Sequence, residues 1–91
     1  MTWNYRVIKR EDEQNGCAYQ IHEVYYDDAG KIETWTKEAV KPLGESLEAL
    51  REDCAHFLQA FRQPVLVEEE VDGTPILRPE DETAELKSQS L

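Results

Sequence analysis

The sequence is poor in basic residues. Ten Lys and Arg stand against 20 Asp and Glu, which gives a formal net charge of −10. Proteins that bind nucleic acids gain much of their affinity from Lys and Arg that neutralise phosphates, and an anionic membrane surface attracts the same residues. We therefore predict neither direct nucleic-acid binding nor membrane binding, whereas a basic protein partner agrees with the charge.

Cysteine and long apolar runs are also scarce. Only Cys17 and Cys54 are present, whereas a small secreted protein held together by disulfides usually has four or more. No apolar stretch approaches the length of a membrane span. The first residues, MTWNYRVIKRED, lack the apolar run with basic flanks that is typical of a signal peptide. Together these features predict a cytoplasmic protein.

The charge is distributed unevenly along the 91 residues, a length that suits one domain at most. Residues 1–67 contain 12 acidic and 8 basic residues, whereas residues 68–91 contain 8 acidic and 2 basic ones. The second segment offers too little apolar surface to offset the entropy lost on ordering. We predict a compact α+β domain at 1–67 and an acidic, largely flexible tail at 68–91. Whether residues 71–77 are ordered against the domain stays open.

A period of two predicts three strands in the first part of the chain. Residues 3–10, 17–26 and 31–36 are rich in aromatic and β-branched side chains and alternate between two faces. Asn15-Gly16 and the DDAG segment at 27–30 suit the turns between them. The alternation changes phase near His22 and Glu23. This indicates either a β-bulge or a strand with apolar neighbours on both faces.

A helix is predicted next, because Ser46 suits an N-cap and Pro64 cannot continue a helix. Between them, apolar residues recur at spacings of three and four, which is typical of one apolar stripe: Leu47, Leu50, Cys54, Phe57, Leu58 and Phe61. Residues 64–70 suit a short fourth strand. The predicted fold is α+β, with a three- or four-stranded antiparallel sheet in the order β-β-β-α-β and one amphipathic helix on one face.

Few residues suggest chemistry. His22 and Glu23 would point to opposite faces of a strand and cannot grip one ion together, and Asp27 with Asp28 is typical of a turn. Cys54 and His56 would lie about 200° apart around a helix. We predict no catalytic residue, metal, cofactor or small-molecule ligand. A small enzyme that uses His22 or Cys54 remains an alternative.

The aromatic residues of the predicted strands point to an interaction surface. One helix covers one face of a sheet, so part of this set should remain exposed on the other face, and exposed aromatic clusters mark contact surfaces. The candidate residues are Trp3, Tyr5, Tyr19, Tyr25 and Trp35. We predict a non-enzymatic interaction protein that binds a protein partner, or itself as a homodimer, through the open sheet face.

Two resemblances accompany these patterns. The order of elements, with GESLEALREDCAHFL opening the helix, resembles the compact domain of HicB-type antitoxins over residues 17–67. That resemblance implies toxin neutralisation. An acidic segment stands where the family has a DNA-binding module, so an acidic nucleic-acid mimic that binds a basic protein is a related alternative. Separately, IHEVYYDDAGKI, GESLEALRED and PVL are similar to a family of small bacterial proteins of unknown function, a likeness that implies no mechanism.

Overall fold

A computed structural model describes residues 2–12, 14 and 16–80. Over these residues the chain forms five strands and one helix that continues into a 3₁₀ turn. The elements are β1 (Thr2–Asp12), β2 (Gly16–Tyr26), β3 (Ile32–Trp35), α1 (Leu47–Phe57) with the 3₁₀ turn Leu58–Arg62, β4 (Leu66–Val71) and β5 (Thr74–Pro79). The α+β class with one helix is confirmed.

The sheet is larger than predicted and mixed rather than antiparallel. Its strand order is β3-β2-β1-β4-β5. The pairs β1–β2, β2–β3 and β4–β5 are antiparallel, whereas β1 and β4 are parallel, with Ile8 opposite Leu66. The parallel pair arises because α1 carries the chain over the sheet as a crossover, so that β4 runs in the same direction as β1.

Strand β5 lies in the segment predicted as a flexible tail. Asp72 and Gly73 have φ of 52° and 80°, which closes a tight hairpin between β4 and β5. Pro75 and Pro79 are accommodated because β5 is an edge strand, where a missing N–H removes no ladder bond. The sheet therefore extends to residue 79, beyond the predicted domain boundary at 67. Residues 81–91, the rest of the predicted tail, lie outside the described part of the chain.

The phase change in β2 is not a bulge in its pairing with β1. The register runs without interruption from Thr2 opposite Tyr26 along both strands. Both faces of β2 meet apolar neighbours, which was the second of the two interpretations. The single irregularity in the described ladders falls between β2 and β3, at Tyr25 and Tyr26.

The sheet has an inner and an outer face. The inner face carries the core residues Ile8, Val24 and Leu66, each at most 2% exposed, and side chains from both edge strands pack on them. These side chains include Ile32 from β3 and Leu77 from β5. Side chains from both edges of the sheet reach the same core, which shows that the sheet curls around its inner face.

Helix α1 and its 3₁₀ turn lie on the outer face. Phe57, 7% exposed, places its ring centroid 4.6 Å from that of Tyr5 on β1. Ser46 is the N-cap, as predicted, and its hydroxyl accepts a hydrogen bond from the Ala49 N–H at 3.1 Å. Just before it, a Cβ on Gly44 would lie 2.7 Å from the Ala49 carbonyl carbon. Only glycine lets the chain turn this closely into the helix.

Candidate interaction surface

The five predicted surface residues divide between the two faces of the sheet. Trp3, Tyr5, Tyr19 and Tyr25 lie on the outer face, the one that α1 partly covers, whereas Trp35 lies on the inner face. The prediction placed the uncovered rings on the face away from the helix. In the structure that face is the buried core, because the sheet curls and covers it with its own edge strands.

Three of these residues form an aromatic cluster. The ring centroids of Trp3 and Tyr5 are 5.2 Å apart with planes at 82°, and those of Trp3 and Tyr25 are 6.3 Å apart. Cross-strand pairing of Trp3 with Tyr25 brings the two strands' rings together. Trp3 remains 50% exposed. Tyr5 connects this exposed ring to Phe57 of the helix.

Acidic groups surround the tyrosines of the cluster. Burial raises the pKa of the Tyr5 phenol, and the carboxylates of Asp53 and Glu23 act in the same direction. The Tyr25 hydroxyl donates to a carboxylate oxygen of Glu23, which, with burial, raises the pKa of Tyr25. Both phenols are therefore neutral hydrogen-bond donors at physiological pH.

Tyr19 does not belong to the cluster. It is six residues from Tyr25 on β2, about 20 Å along the strand. The Lys9 ammonium lies 5.8 Å from the Tyr19 ring centroid and 3.2 Å from a Glu80 carboxylate oxygen. The Tyr19 hydroxyl donates to the same oxygen of Glu80 at 3.4 Å. Tyr19 is thus held in a local polar group at the other end of the outer face.

The sequence prediction missed the exposure of the helix itself. Of the predicted apolar stripe only Phe57 is buried, whereas Leu47, Leu58 and Phe61 are 65%, 63% and 67% exposed. These three lie on one side of the helix at spacings of 11 and 3 residues, adjacent to the side that faces the sheet. The signal was present in the sequence, because the stripe is wider than one contact line on a sheet. We call Trp3, Leu47, Leu58 and Phe61 the helix-side apolar surface.

Trp35 has a structural role on the inner face. Its indole Nε1 donates to Glu68 Oε1 at 2.6 Å, and Arg10 Nη2 donates to the same oxygen at 3.1 Å. In a flat sheet the strands β3 and β4 would be about 14 Å apart, because two strands separate them. The Trp35–Glu68 bond therefore fastens the curled sheet across its inner face.

A cleft remains between the two edges of the curled sheet, and we call it the edge cleft. Its volume is about 730 Å³. It is lined by Glu33, Thr34 and Trp35 of β3, by Lys37 and Glu38, by Arg10 and Glu68 on the cleft floor, and by Thr74 and Pro75 of β5.

The residues considered for chemistry are kept apart. His22 is 0% exposed on the inner face, where its Nδ1–H donates to the Thr36 carbonyl at 2.9 Å, whereas Cys54 is exposed on the helix that packs on the outer face. The sheet thus separates these two side chains. Asp27 Oδ1 accepts from the backbone N–H groups of Ala29 and Lys31, each at 2.9 Å, as expected of a turn residue.

Two further observations concern ligands and membranes. Among the described residues, no three His, Cys, Asp or Glu side chains converge in an arrangement that could hold a metal ion. Over the same part of the chain, no helix has the length and apolarity needed to cross a bilayer.

No protein-family model, curated protein or solved structure matches this chain.

Proposed function

We propose that this chain is a non-enzymatic protein-interaction protein that binds a protein partner, or a second copy of itself, through the helix-side apolar surface. One observation carries the proposal: three large apolar side chains of one helix, together with Trp3, are each at least half exposed. Burying a Leu or Phe side chain contributes about 1.5–3 kcal/mol. Large apolar side chains exposed together on one side of a helix are typical of a contact surface.

The surroundings of this surface support a macromolecular partner. Trp3 and Tyr25 add rigid aromatic area and Tyr25 adds a neutral hydroxyl, features that are enriched at interface centres.

The proposal is tested first by the oligomeric state. Light scattering coupled to size exclusion gives the molar mass of the wild type and of the double variant Leu58→Glu/Phe61→Glu. Self-association predicts a dimer mass that falls to the monomer mass in the variant. The matched control is Val71→Glu, which places the same charge on an exposed apolar residue of the β4–β5 hairpin and should leave the mass unchanged.

Binding to another protein is tested by photocrosslinking. A photoreactive amino acid at Leu58 should capture a discrete partner from cell extract, whereas the same group at Val71 should not. Because Leu58 and Phe61 are exposed, their replacement should change the free energy of unfolding by no more than about 0.5 kcal/mol each. A monomeric wild type with no crosslink specific to Leu58 would exclude the proposal.

A second candidate function is capture of a basic protein, as in an antitoxin or a nucleic-acid mimic. The observation that favours it is the β4–β5 hairpin, whose tip carries Glu70 and Asp72 exposed to solvent beside Glu69. Such a complex should form quickly at low salt and weaken steeply as salt is added. Replacing Glu70 and Asp72 by Lys, with Glu48→Lys/Glu52→Lys as the control for net charge, should abolish capture of a basic partner.

A further inference from the structure

We propose that the edge cleft binds an extended, basic segment of a partner protein, and that this segment pairs with β3 as an additional strand of the sheet. This site is separate from the helix-side apolar surface and does not depend on it. It lies between the edges of the sheet, over the inner face, whereas α1 lies on the outer face.

The edge of the sheet at β3 is open. Strand β3 ends the strand order, with no further strand beside it in the described part of the chain. Unpaired edge strands are templates for strand addition, and proteins usually protect them with prolines or charges. Strand β5 carries two prolines on the opposite edge. Strand β3 carries no proline. Its pairing with β2 skips Glu33, between Ile32 opposite Tyr26 and Thr34 opposite Tyr25, so the regular edge at which an added strand can form a ladder is at Thr34 and Trp35.

Among the described residues, the backbone groups of Trp35 on β3 are free to pair with an added strand. The Thr36 N–H donates to the Glu23 carbonyl at 3.0 Å, and the Glu23 N–H donates to the Thr36 hydroxyl at 3.2 Å, so Glu23 and Thr36 face each other with their hydrogen-bonding groups. In an antiparallel ladder such pairs alternate with non-hydrogen-bonded pairs, so Val24 and Trp35 form one of the latter. The N–H and C=O of Trp35 therefore point away from β2, towards the cleft edge.

The charges that line the edge cleft favour a cationic occupant. On the floor of the cleft the Arg10 guanidinium is already matched by Glu68. On the rim, the exposed carboxylates of Glu33 and Glu38 outnumber the ammonium of Lys37. With a net charge of −10 for the whole chain, the cleft favours a cationic occupant. Anionic ligands such as phosphates are disfavoured by the same balance.

The size of the edge cleft and its lining suit an extended peptide segment. A volume of about 730 Å³ is within the range of roughly 300–1,000 Å³ found for ligand sites, and it suits a few residues of extended chain. Side chains of an extended segment alternate in direction, so every second one would face Trp35. A Lys or Arg there would meet the indole ring and the rim carboxylates together.

The experiment uses the full chain labelled with ¹⁵N and a synthetic peptide of alternating Lys and Val with blocked ends. We expect saturable shifts of the Trp35 indole N–H and of the β3 amide signals, with the Trp3 indole unaffected. The Trp35 signal is assigned from the Trp35→Phe variant. The same peptide N-methylated at alternate residues keeps its charge but cannot form the ladder, and it should not bind.

A matched pair of charge-reversal variants tests whether the rim carboxylates of the edge cleft attract the peptide. Glu33→Lys/Glu38→Lys should weaken peptide binding about tenfold, as expected when two exposed ion pairs become repulsive. Glu48→Lys/Glu52→Lys changes the net charge by the same amount on the helix and should alter binding by less than about twofold. All four residues are exposed, so both variants should fold.

Several results would overturn the proposal. They are the absence of Trp35 and β3 shifts, equal binding of the N-methylated peptide, and equal weakening by the two charge variants. Shifts confined to Trp3 and α1 would also overturn it, because they would locate the peptide on the helix-side apolar surface instead.

Discussion

The hydrogen bond between Trp35 and Glu68 should be a principal source of stability for the curled sheet, and Trp35→Phe removes its donor while keeping an aromatic ring. A hydrogen bond to a charged acceptor contributes about 1.5–3 kcal/mol. The Glu68 side chain is 24% exposed, which places this bond at the lower end of that range. We therefore expect Trp35→Phe to reduce the free energy of unfolding by about 1.5 kcal/mol. For a domain of this size that corresponds to a fall in Tm of about 6–12 °C.

Urea denaturation followed by circular dichroism measures this loss, and a double-mutant cycle with Glu68→Gln isolates the bond. Glu68→Gln alone should cost more than Trp35→Phe, because it also weakens the 3.1 Å contact with Arg10. The two changes should be coupled by about 1 kcal/mol. Trp3→Phe is the matched control, since Trp3 is half exposed and should change stability by less than about 0.5 kcal/mol.

A coupling energy below about 0.3 kcal/mol, within the error of additivity, would show that the Trp35–Glu68 bond does not stabilise the curled sheet. The curl of the sheet would then rest on its apolar core alone, on Ile8, Val24 and Leu66.

Two further predictions concern the buried His22 and the entry to α1 at Gly44. Burial lowers the pKa of His22, whose Nε2 is buried with no hydrogen-bond partner among the described residues, so the folded state resists a proton that the unfolded chain accepts below its pKa of 6.5. The free energy of unfolding should hence fall as the pH drops below about 6.5 towards the folded pKa. His22→Gln should remove this slope in denaturant titrations between these pH values. Gly44→Ala should destabilise the protein by about 1–3 kcal/mol in the same assay, because the added Cβ would meet helix backbone that cannot rotate away; a wild-type midpoint would show that the entry to α1 is not tightly packed.

The local elements were largely predictable because local rules govern them. The period of two in 3–10 and 17–26, the Ser46 cap and the stop at Pro64 predicted two long strands and a helix, and the structure contains all three. The hairpin β4–β5 was not predicted, since Asp72-Gly73 lies in an acidic, proline-containing segment whose order depends on an edge of the sheet being available.

The face of the sheet on which the exposed aromatic residues lie could not be predicted for a related reason. The alternation along β1 and β2 shows which side chains share a face, but it does not show how each face is covered. Curling of the sheet covers the inner face, because Ile32 and Leu77 from opposite edges pack on its core, whereas the helix covers only part of the outer face. The contact between Trp35 and Glu68 is likewise invisible in sequence, since it joins residues 33 positions apart on non-adjacent strands.

The charge, the two long strands, the helix with its cap and the surplus of apolar residues over what one small core can bury are all readable in the amino-acid sequence. Where that surplus lies, and where the edges of the sheet leave a cleft, depends on the tertiary structure. The physical reason is that periodicity and capping act within a few residues, whereas curvature and strand order depend on contacts between distant parts of the chain.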